Sequence, residues 1–210
     1  MRPIYLISKT SYPGVIHIPV LTLHFFTPEI DFDPYEGIIV TSKQAAEGLK
    51  RYTPDWNKLR VICVGESTAN AMKQLGAIHV ETADGYGMDI ANVLSSYKGK
   101  WLYLRPKMIA SSWPAYAREQ GLVIDEVIIY ETTCNEAIEA IDIEKNAVLV
   151  FTSPSSIECF YKHTEILATH KVIVIGKTTQ KALPLEIKSI LSEKATVFSC
   201  IEKAHEIATS

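Results

Sequence analysis

The sequence has no apolar run that approaches the roughly 20 residues of a membrane-spanning helix. Its N-terminal stretch, MRPIYLISK, has too few consecutive apolar residues for the core of a secretory signal peptide. The lysines and arginines form no cluster and the formal net charge is -3, which argues against nucleic acid or a membrane surface as the main partner. We therefore expect a cytoplasmic protein that binds a small molecule.

Motifs for metals and cofactors are also missing. The four cysteines are scattered without a C-x-x-C pair, and three lie in apolar surroundings, where cysteine usually acts as a small hydrophobic residue. The six histidines show neither H-x-x-x-H nor H-E-x-x-H spacing, so we predict no metal site. The nucleotide fingerprints G-x-G-x-x-G and G-x-x-x-x-G-K-[ST] and the G-x-S-x-G elbow are absent. We expect no cofactor, and a ligand held by hydroxyls and backbone amides.

The sequence of 210 residues is 47% hydrophobic, which is enough to form a core. It also contains a pattern that occurs twice. In AVLVFTSPSSIECF (147–160), an apolar run typical of a buried strand ends in a Thr-Ser pair, and helical spacing follows. GIIVTSKQAAEGL (37–49) has the same pattern, with its Thr-Ser pair 111 residues earlier. A second motif, VICVGESTANAM (61–72), recurs as VIVIGKTTQKAL (172–183) at the same offset. Two motifs that share one offset indicate an internal duplication.

The remaining segments of the two copies pair less closely. ATVFSC (195–200) resembles AIHVET in the first copy and is predicted to be a strand. The first copy continues through KWLYLRPK (100–107) and IDEVIIYETT (124–133), whereas the second copy ends. Segments of matching character occur at the other end of the chain, as RPIYLISK (2–9) and VIHIPVLTL (15–23). We therefore predict that the N-terminus crosses over and completes the C-terminal domain.

Each predicted domain contains about five short apolar strands separated by helical segments, which is typical of a doubly wound parallel sheet in an α/β fold. We predict a terminal domain from residues 1–17 and 136–210 and an inserted domain from residues 27–129. The chain passes between them at residues 18–26 and 130–135, and two extended crossings side by side predict a two-stranded hinge. The N-terminal copy has no room for the helix predicted near Trp113, so one sheet face of the terminal domain should be less covered.

Hydroxyls or glycines follow the strand in all four repeated motifs. Ligands of an open parallel sheet bind beyond the carboxyl ends of its strands. Helix N-termini at that edge offer unpaired N–H groups and partial positive charge to anions, and Gly65 and Gly176 would let a ligand approach the backbone closely. The simpler interpretation is that each Ser or Thr only caps its own helix, which stabilises the helix by ~1 kcal/mol. The occurrence of both motifs in both halves favours binding.

The ordered segments IPVL, IIVTSKQAAEGL, VGESTANAMKQLG, VIIYETT, VLVFTSPSSIECF and VIGKTTQKAL resemble the uroporphyrinogen-III synthase family over nearly the whole chain. The resemblance implies two flavodoxin-like domains joined by a two-stranded β-ladder, with both chain ends in one domain. It also implies a monomeric cyclising lyase that closes the linear tetrapyrrole hydroxymethylbilane into uroporphyrinogen III. The reaction inverts the last pyrrole ring and releases water, with no metal or cofactor.

The resemblance further implies the residues of the site. The substrate carries eight carboxylates, which the family binds in the cleft between its domains, largely through backbone amides and hydroxyls. Tyr130 matches the tyrosine beside the substrate and is the candidate to assist departure of the hydroxyl, the alternative being a tyrosine that only packs at the domain junction. Arg105 is a candidate either to bind a carboxylate or to pair with a nearby acid. The other predicted binding residues are Thr41, Ser42, Lys43 (where proline is commoner), Gln44, Gly65, Ser67, Thr68, Thr152, Ser153, Pro154, Ser155, Gly176, Thr178 and Thr179.

Two other classes of function stay open from the residues alone. One is a non-catalytic module that senses a small anion in the same cleft. The other is a transferase that acts on a nucleotide-linked sugar, which would need an acidic contact to a ribose or a metal-binding pair of acids, and the sequence offers neither. Product analysis after incubation with hydroxymethylbilane would separate the three.

Overall fold

The computed structural model describes residues 1–83, 87–109 and 111–209. Within this part of the chain there are eleven strands, seven α-helices and a short 3-10 helix at Pro54–Lys58. The strands are β1 (Ile4–Ile7), β2 (Ile16–Ile18), β3 (Leu21–Phe25), β4 (Gly37–Val40), β5 (Arg60–Val64), β6 (His79–Ala83), β7 (Lys100–Pro106), β8 (Val123–Cys134), β9 (Val148–Phe151), β10 (Lys171–Val174) and β11 (Ser189–Leu191). The helices are α1 (Lys43–Leu49), α2 (Glu66–Gln74), α3 (Gly87–Leu94), α4 (Trp113–Glu119), α5 (Pro154–Phe160), α6 (Lys177–Gln180) and α7 (Val197–Thr209).

The strands form two sheets of matching order. One sheet runs β11-β10-β9-β1-β2, with all its neighbours parallel, and the N-terminal β1 lies between β9 and β2. The other sheet has the order β3-β8-β7-β4-β5-β6, and its last five strands in this order are parallel to their neighbours. An α/β fold with parallel sheets is therefore confirmed.

The repeat predicted from the motifs is visible in the element bounds. β9 begins and ends 111 residues after β4, and α5 begins and ends 111 residues after α1. The registers agree as well, because Gly37 pairs with Trp101 in one sheet and Val148 pairs with Ile4 in the other. β1 therefore occupies the place of β7, as the sequence predicted.

The chain divides into two compact units. The terminal unit contains Met1–Leu23 and Thr133–Ser210, and the central unit contains His24–Thr132. In the terminal unit, Leu149 and Phe151 of β9 belong to the same buried cluster as α5, whereas Val148 and Val150 belong to the cluster with α7. Because successive strand residues point to opposite faces, both faces of this sheet are packed. Such burial explains why the central strands have continuous apolar sequences.

One detail of the second copy differs from the sequence prediction, and a second agrees with it. The stretch 195–200, predicted to be a strand, instead contains the first turn of α7, and β11 supplies the edge strand that matches β6. The prediction was wrong because the β-branched residues of this stretch suggested a strand, whereas packing of Cys200 and Ile201 against the sheet favours the helix. As predicted, the described chain has no helix between β1 and β2. Tyr12 and Val15 of the loop that connects these strands pack against the sheet.

The expectation that three cysteines act as small hydrophobic residues was wrong for one of them, Cys159. Cys134, at the end of β8, forms a disulfide with Cys159 of α5, and their Cα atoms are 5.2 Å apart. Cys63 and Cys200 are free and buried, as expected of small hydrophobic residues. The paired cysteines lie 25 residues apart and share no motif, so the fold alone brings them together.

Among the described residues, no helix is long and apolar enough to cross a membrane.

Candidate active site

The turn between β4 and α1 carries two hydroxyls that each contact a tyrosine. Ser42 has extended backbone and caps α1, because its Oγ accepts the N–H of Ala45 at 3.1 Å. The same Oγ lies 2.8 Å from the Tyr130 hydroxyl. Thr41 Oγ1 lies 3.1 Å from the hydroxyl of Tyr103 on β7. The predicted capping role of Ser42 is therefore present, together with a contact that capping does not require.

A bulge in β8 places Tyr130 beside Ser42. Arg105 pairs with Ile128, but the next residue, Pro106, pairs with Tyr130, so Ile129 is an extra residue on the β8 side. Without the bulge, Ile129 and Tyr130 would point to opposite faces of the sheet. Instead both are buried, and both lie near α1 or its cap: Ile129 near Gly48, and Tyr130 at Ser42. Bulges commonly re-aim side chains next to active sites.

Burial controls the ionisation of both tyrosines. It raises the pKa of Tyr130 above the ordinary value, with the Ser42 hydrogen bond acting in the opposite direction and the neighbouring Tyr103 adding to the rise. Burial also raises the pKa of Tyr103, while its hydrogen bond to Thr41 lowers it. A raised pKa keeps the proton on a phenol through the neutral range and above. Tyr130 is therefore available as a hydrogen-bond donor.

The matching turn in the terminal unit, between β9 and α5, is capped within its own helix. Ser153 Oγ accepts the N–H of Ser156 at 3.1 Å, and Ser156 Oγ accepts the N–H of Ser153 at 3.2 Å, which forms a capping box. Pro154 occupies the first helical turn, as predicted. Thr152 is half-buried and Ser155 is exposed. All these bonds lie within one helical turn, so they explain the cap but not Thr152 or Ser155.

The turns at Gly65 and Gly176 have the same pattern of side-chain exposure, but the two glycines differ in backbone conformation. Ser67 and Thr178 are exposed, whereas Thr68 and Thr179 are buried. Gly65 has φ of 75°, a left-handed conformation that favours glycine. Gly176 has φ of -175°, which any residue adopts, and a Cβ added there would meet no described atom within 4 Å. The backbone therefore explains Gly65 and leaves Gly176 unexplained.

The predicted basic and amide residues lie in different environments. Lys43 is exposed and Gln44 is half-buried at the start of α1. Arg105 forms an ion pair with Glu126 and donates from Nη1 to the carbonyls of Pro106 and Lys107. Of the two roles predicted for Arg105, the structure contains the pairing with a nearby acid.

The structure thus brings Thr41, Ser42 and Tyr130 together within the central unit. Sequence analysis missed Tyr103, which is 62 residues from Thr41 in the chain. The signal that could have identified it is its position in KWLYLRPK, an apolar segment that continues the first copy of the repeat. Among the described residues, no group of three or more His, Cys, Asp and Glu side chains is arranged to hold a metal.

These features define a class: an α/β protein of parallel sheets whose candidate site consists of hydroxyls and helix N-termini at the carboxyl ends of strands. Within that class, the chain belongs to the uroporphyrinogen-III synthase family, because the uroporphyrinogen-III synthase HemD family model matches residues 13–202. The predicted function, a cyclising lyase that forms uroporphyrinogen III, is confirmed by this match.

Solved structures agree on the fold. Uroporphyrinogen-III synthetase from Helicobacter pylori 26695 matches with a TM-score of 0.85 at 24% identity, over 99% of this chain and 100% of that one. A mutant uroporphyrinogen III synthase from the extremely thermophilic bacterium Thermus thermophilus matches with a TM-score of 0.62 at 12% identity, over 100% of this chain and 99% of that one. Comparison with curated protein sequences found no match.

Proposed function

We propose that this chain cyclises hydroxymethylbilane in a cleft between two flavodoxin-like domains. The residues of these domains are nearly those of the terminal and central units, and the domains are joined through β3 and β8. The observation that carries the proposal is the family match over residues 13–202. The unit boundaries support the arrangement, since they fall within β3 and within β8. In this arrangement, the two extended segments act as a hinge, and each domain contributes two of the four repeated turns.

The carboxylates of the substrate bind to these turns. The exposed hydroxyls of Ser67, Ser155 and Thr178 support this role, because the helix caps described above do not use them. Backbone N–H groups at the starts of α1 and α5 add donors that need no positive side chain. The proposed binding residues are those predicted from the sequence: Thr41, Ser42, Lys43, Gln44, Gly65, Ser67, Thr68, Arg105, Thr152, Ser153, Pro154, Ser155, Gly176, Thr178 and Thr179. Arg105 contributes only by exchanging its bond to Glu126 for one to the substrate.

Tyr130 assists the first step. The pyrrole nitrogen supplies electrons to the ring as the C–O bond of the hydroxymethyl group breaks, and the hydroxyl takes a proton to leave as water. The resulting azafulvene is attacked by the substituted carbon of the last ring, and the spiro intermediate breaks and rejoins with that ring inverted. The pyrroles supply the electrons, so the protein mainly selects one folded conformation and stabilises developing charge. A protonated phenol at Tyr130 is suited to the hydroxyl's departure.

Hinge motion can be measured by small-angle scattering. If β3 and β8 act as a hinge, the free protein samples several domain angles and binding of a tetrapyrrole product compacts it. We expect a smaller radius of gyration at saturating product. Unchanged scattering would indicate a rigid arrangement and remove the hinge from the proposal.

We also propose a cytoplasmic monomer whose Cys134–Cys159 disulfide is open in the cell, because disulfides are rare in the cytoplasm. Alkylation before and after reduction of freshly lysed cells, followed by mass analysis, would count the thiols. Four thiols before reduction support the proposal, whereas two place the bond in the living cell.

The activity is tested by incubating the purified protein with hydroxymethylbilane, without added metal or cofactor, and separating the products by chromatography. We expect the type III isomer, with no effect of a chelator. Spontaneous type I isomer alone would contradict the proposal and favour a small-anion sensor.

A further inference from the structure

The Ser42 hydroxyl has two functions available to it, and it can perform only one at a time. A serine hydroxyl has one proton to donate and two lone pairs that accept. One lone pair already accepts the N–H of Ala45 at 3.1 Å. The Tyr130 hydroxyl at 2.8 Å takes either the proton or the second lone pair.

These two arrangements have opposite consequences for the substrate. If Tyr130 donates to Ser42, the phenol proton is used and Ser42 keeps its own proton for a carboxylate. If Ser42 donates to Tyr130, the phenol proton is free for the leaving hydroxyl and Ser42 has no proton left. Carboxylate binding by Ser42 and proton donation by Tyr130 therefore exclude each other at any one moment.

Two physical arguments favour the second arrangement during the reaction. An oxygen that accepts a hydrogen bond becomes a better donor, so the bond from Ala45 strengthens the Ser42 hydroxyl as a donor. As the phenol gives its proton to the departing hydroxyl, its oxygen gains negative charge. A hydrogen bond that Ser42 donates to the phenol oxygen stabilises that charge, whereas a bond that Ser42 accepts from the phenol does not. Tyr130 is only 4% exposed, so water supplies little of this stabilisation.

We propose that Ser42 is a positioning residue for Tyr130: its hydroxyl donates to the phenol oxygen and thereby directs the phenol proton toward the leaving hydroxyl of the substrate. The proton moves from the phenol to that hydroxyl, the C–O electron pair leaves with the water, and the pyrrole nitrogen's lone pair completes the azafulvene cation. The phenolate recovers a proton when the inverted ring regains its aromaticity. This inference rests on the proposed cyclisation and replaces the carboxylate-binding role proposed above for the Ser42 hydroxyl.

The test is a double-mutant cycle with separate kcat and KM values for formation of the type III isomer. Ser42→Ala is expected to lower kcat about 3- to 10-fold, the size of one hydrogen bond, with little change in KM. In a Tyr130→Phe background the same substitution should change kcat by less than about 2-fold, because the phenol through which Ser42 acts is gone. Ser42→Thr, which keeps the hydroxyl, should restore most of kcat.

Three controls separate this role from helix capping. Ser42→Gly removes the hydroxyl at a position where glycine is an acceptable cap, so it tests the idea even if Ser42→Ala unfolds. Ser153→Ala removes the matching cap of α5 and should raise KM by the same factor with either tyrosine or phenylalanine at position 130. Tyr35→Phe removes a phenol hydrogen bond to Asp125 near the start of β8, outside the site, and kcat should be unaffected.

Equal losses of kcat in both backgrounds, or a rise in KM without loss of kcat, would overturn the assignment and make Ser42 a cap or a carboxylate ligand. A wild-type protein that forms only the type I isomer would instead refute the proposed function, so the two failures are distinguishable.

Discussion

Helices α1 and α5 begin at the same point of the repeat but contact different partners. At the start of α1, Ser42 contacts Tyr130, whereas at the start of α5 Ser153 completes its capping box with Ser156. Six residues after each cap, Gly48 of α1 lies against Ile129, and Cys159 of α5 bonds to Cys134. The duplicated scaffold thus keeps the cap in both units and adds the phenol in one.

The sheet registers extend this comparison. Tyr103 pairs with Ile39 of β4, and Leu6 pairs with Val150 of β9, the residue 111 positions after Ile39. Leu6 therefore occupies the position of Tyr103, so this phenol is also absent from the terminal unit. In the proposed function, hydroxyls and helix starts of both units bind carboxylates, and Tyr130 of the central unit assists proton transfer.

We expect the largest loss of stability when a core residue of the central unit is replaced by its counterpart from the terminal unit. Gly37 corresponds to Val148, but a Cβ at Gly37 would lie 2.4 Å from Trp101 and 2.6 Å from the Arg60 carbonyl. We expect Gly37→Val to lower the free energy of unfolding by more than about 3 kcal/mol, beyond the usual range for overpacking. Chemical denaturation would measure it. In the other sheet Ile4 stands opposite Val148, so adding Trp101→Ile should recover part of the loss, and no recovery would contradict the matched packing.

The matched bounds of α1 and α5 and of β4 and β9 could be predicted from sequence because the pattern of strand, hydroxyl and helix is local. The contacts that distinguish the units could not, since each joins distant residues. Ser42 and Tyr130 are 88 positions apart, and their contact depends on a bulge that no local pattern indicates. The pairing of Arg105 with Glu126 likewise follows from the register of β7 and β8.

Loss of the disulfide, which belongs to the terminal unit, should give the next largest decrease in stability. Closing a loop of 25 residues should stabilise the folded protein by about 3 kcal/mol. We expect Cys159→Ser to lower stability by at least this amount relative to oxidised protein, and the difference to shrink by about 3 kcal/mol after both proteins are reduced. Cys63→Ser, at a free and buried cysteine, serves as a control that should respond equally with and without reductant. Equal stability of Cys159→Ser and oxidised wild type would mean that the bond contributes nothing.

Substitution of the glycines in the two copies of the second motif should change stability less, and by unequal amounts. Gly65→Ala forces a side chain into a left-handed conformation and should cost about 1–2 kcal/mol of stability. The added methyl group of Gly176→Ala meets no described atom within 4 Å and the backbone is extended, so stability should change by no more than about 0.5 kcal/mol. Thermal melts measure both. If Gly176 admits the substrate, its alanine variant should raise KM while remaining stable, and an unchanged KM would remove it from the binding site.

We propose that the protein acts mainly by fixing one folded conformation of the substrate, and that Tyr130 only assists loss of water. A well-placed general acid contributes 10²–10⁴-fold, but here an electron-rich pyrrole already activates the leaving group. The most direct measurement is kcat and isomer ratio for Tyr130→Phe, with a thermal melt to establish that the variant is folded. We predict a fall in kcat of less than ~100-fold and retention of the type III product. A folded variant slowed a thousandfold, or one that released type I isomer, would contradict the account.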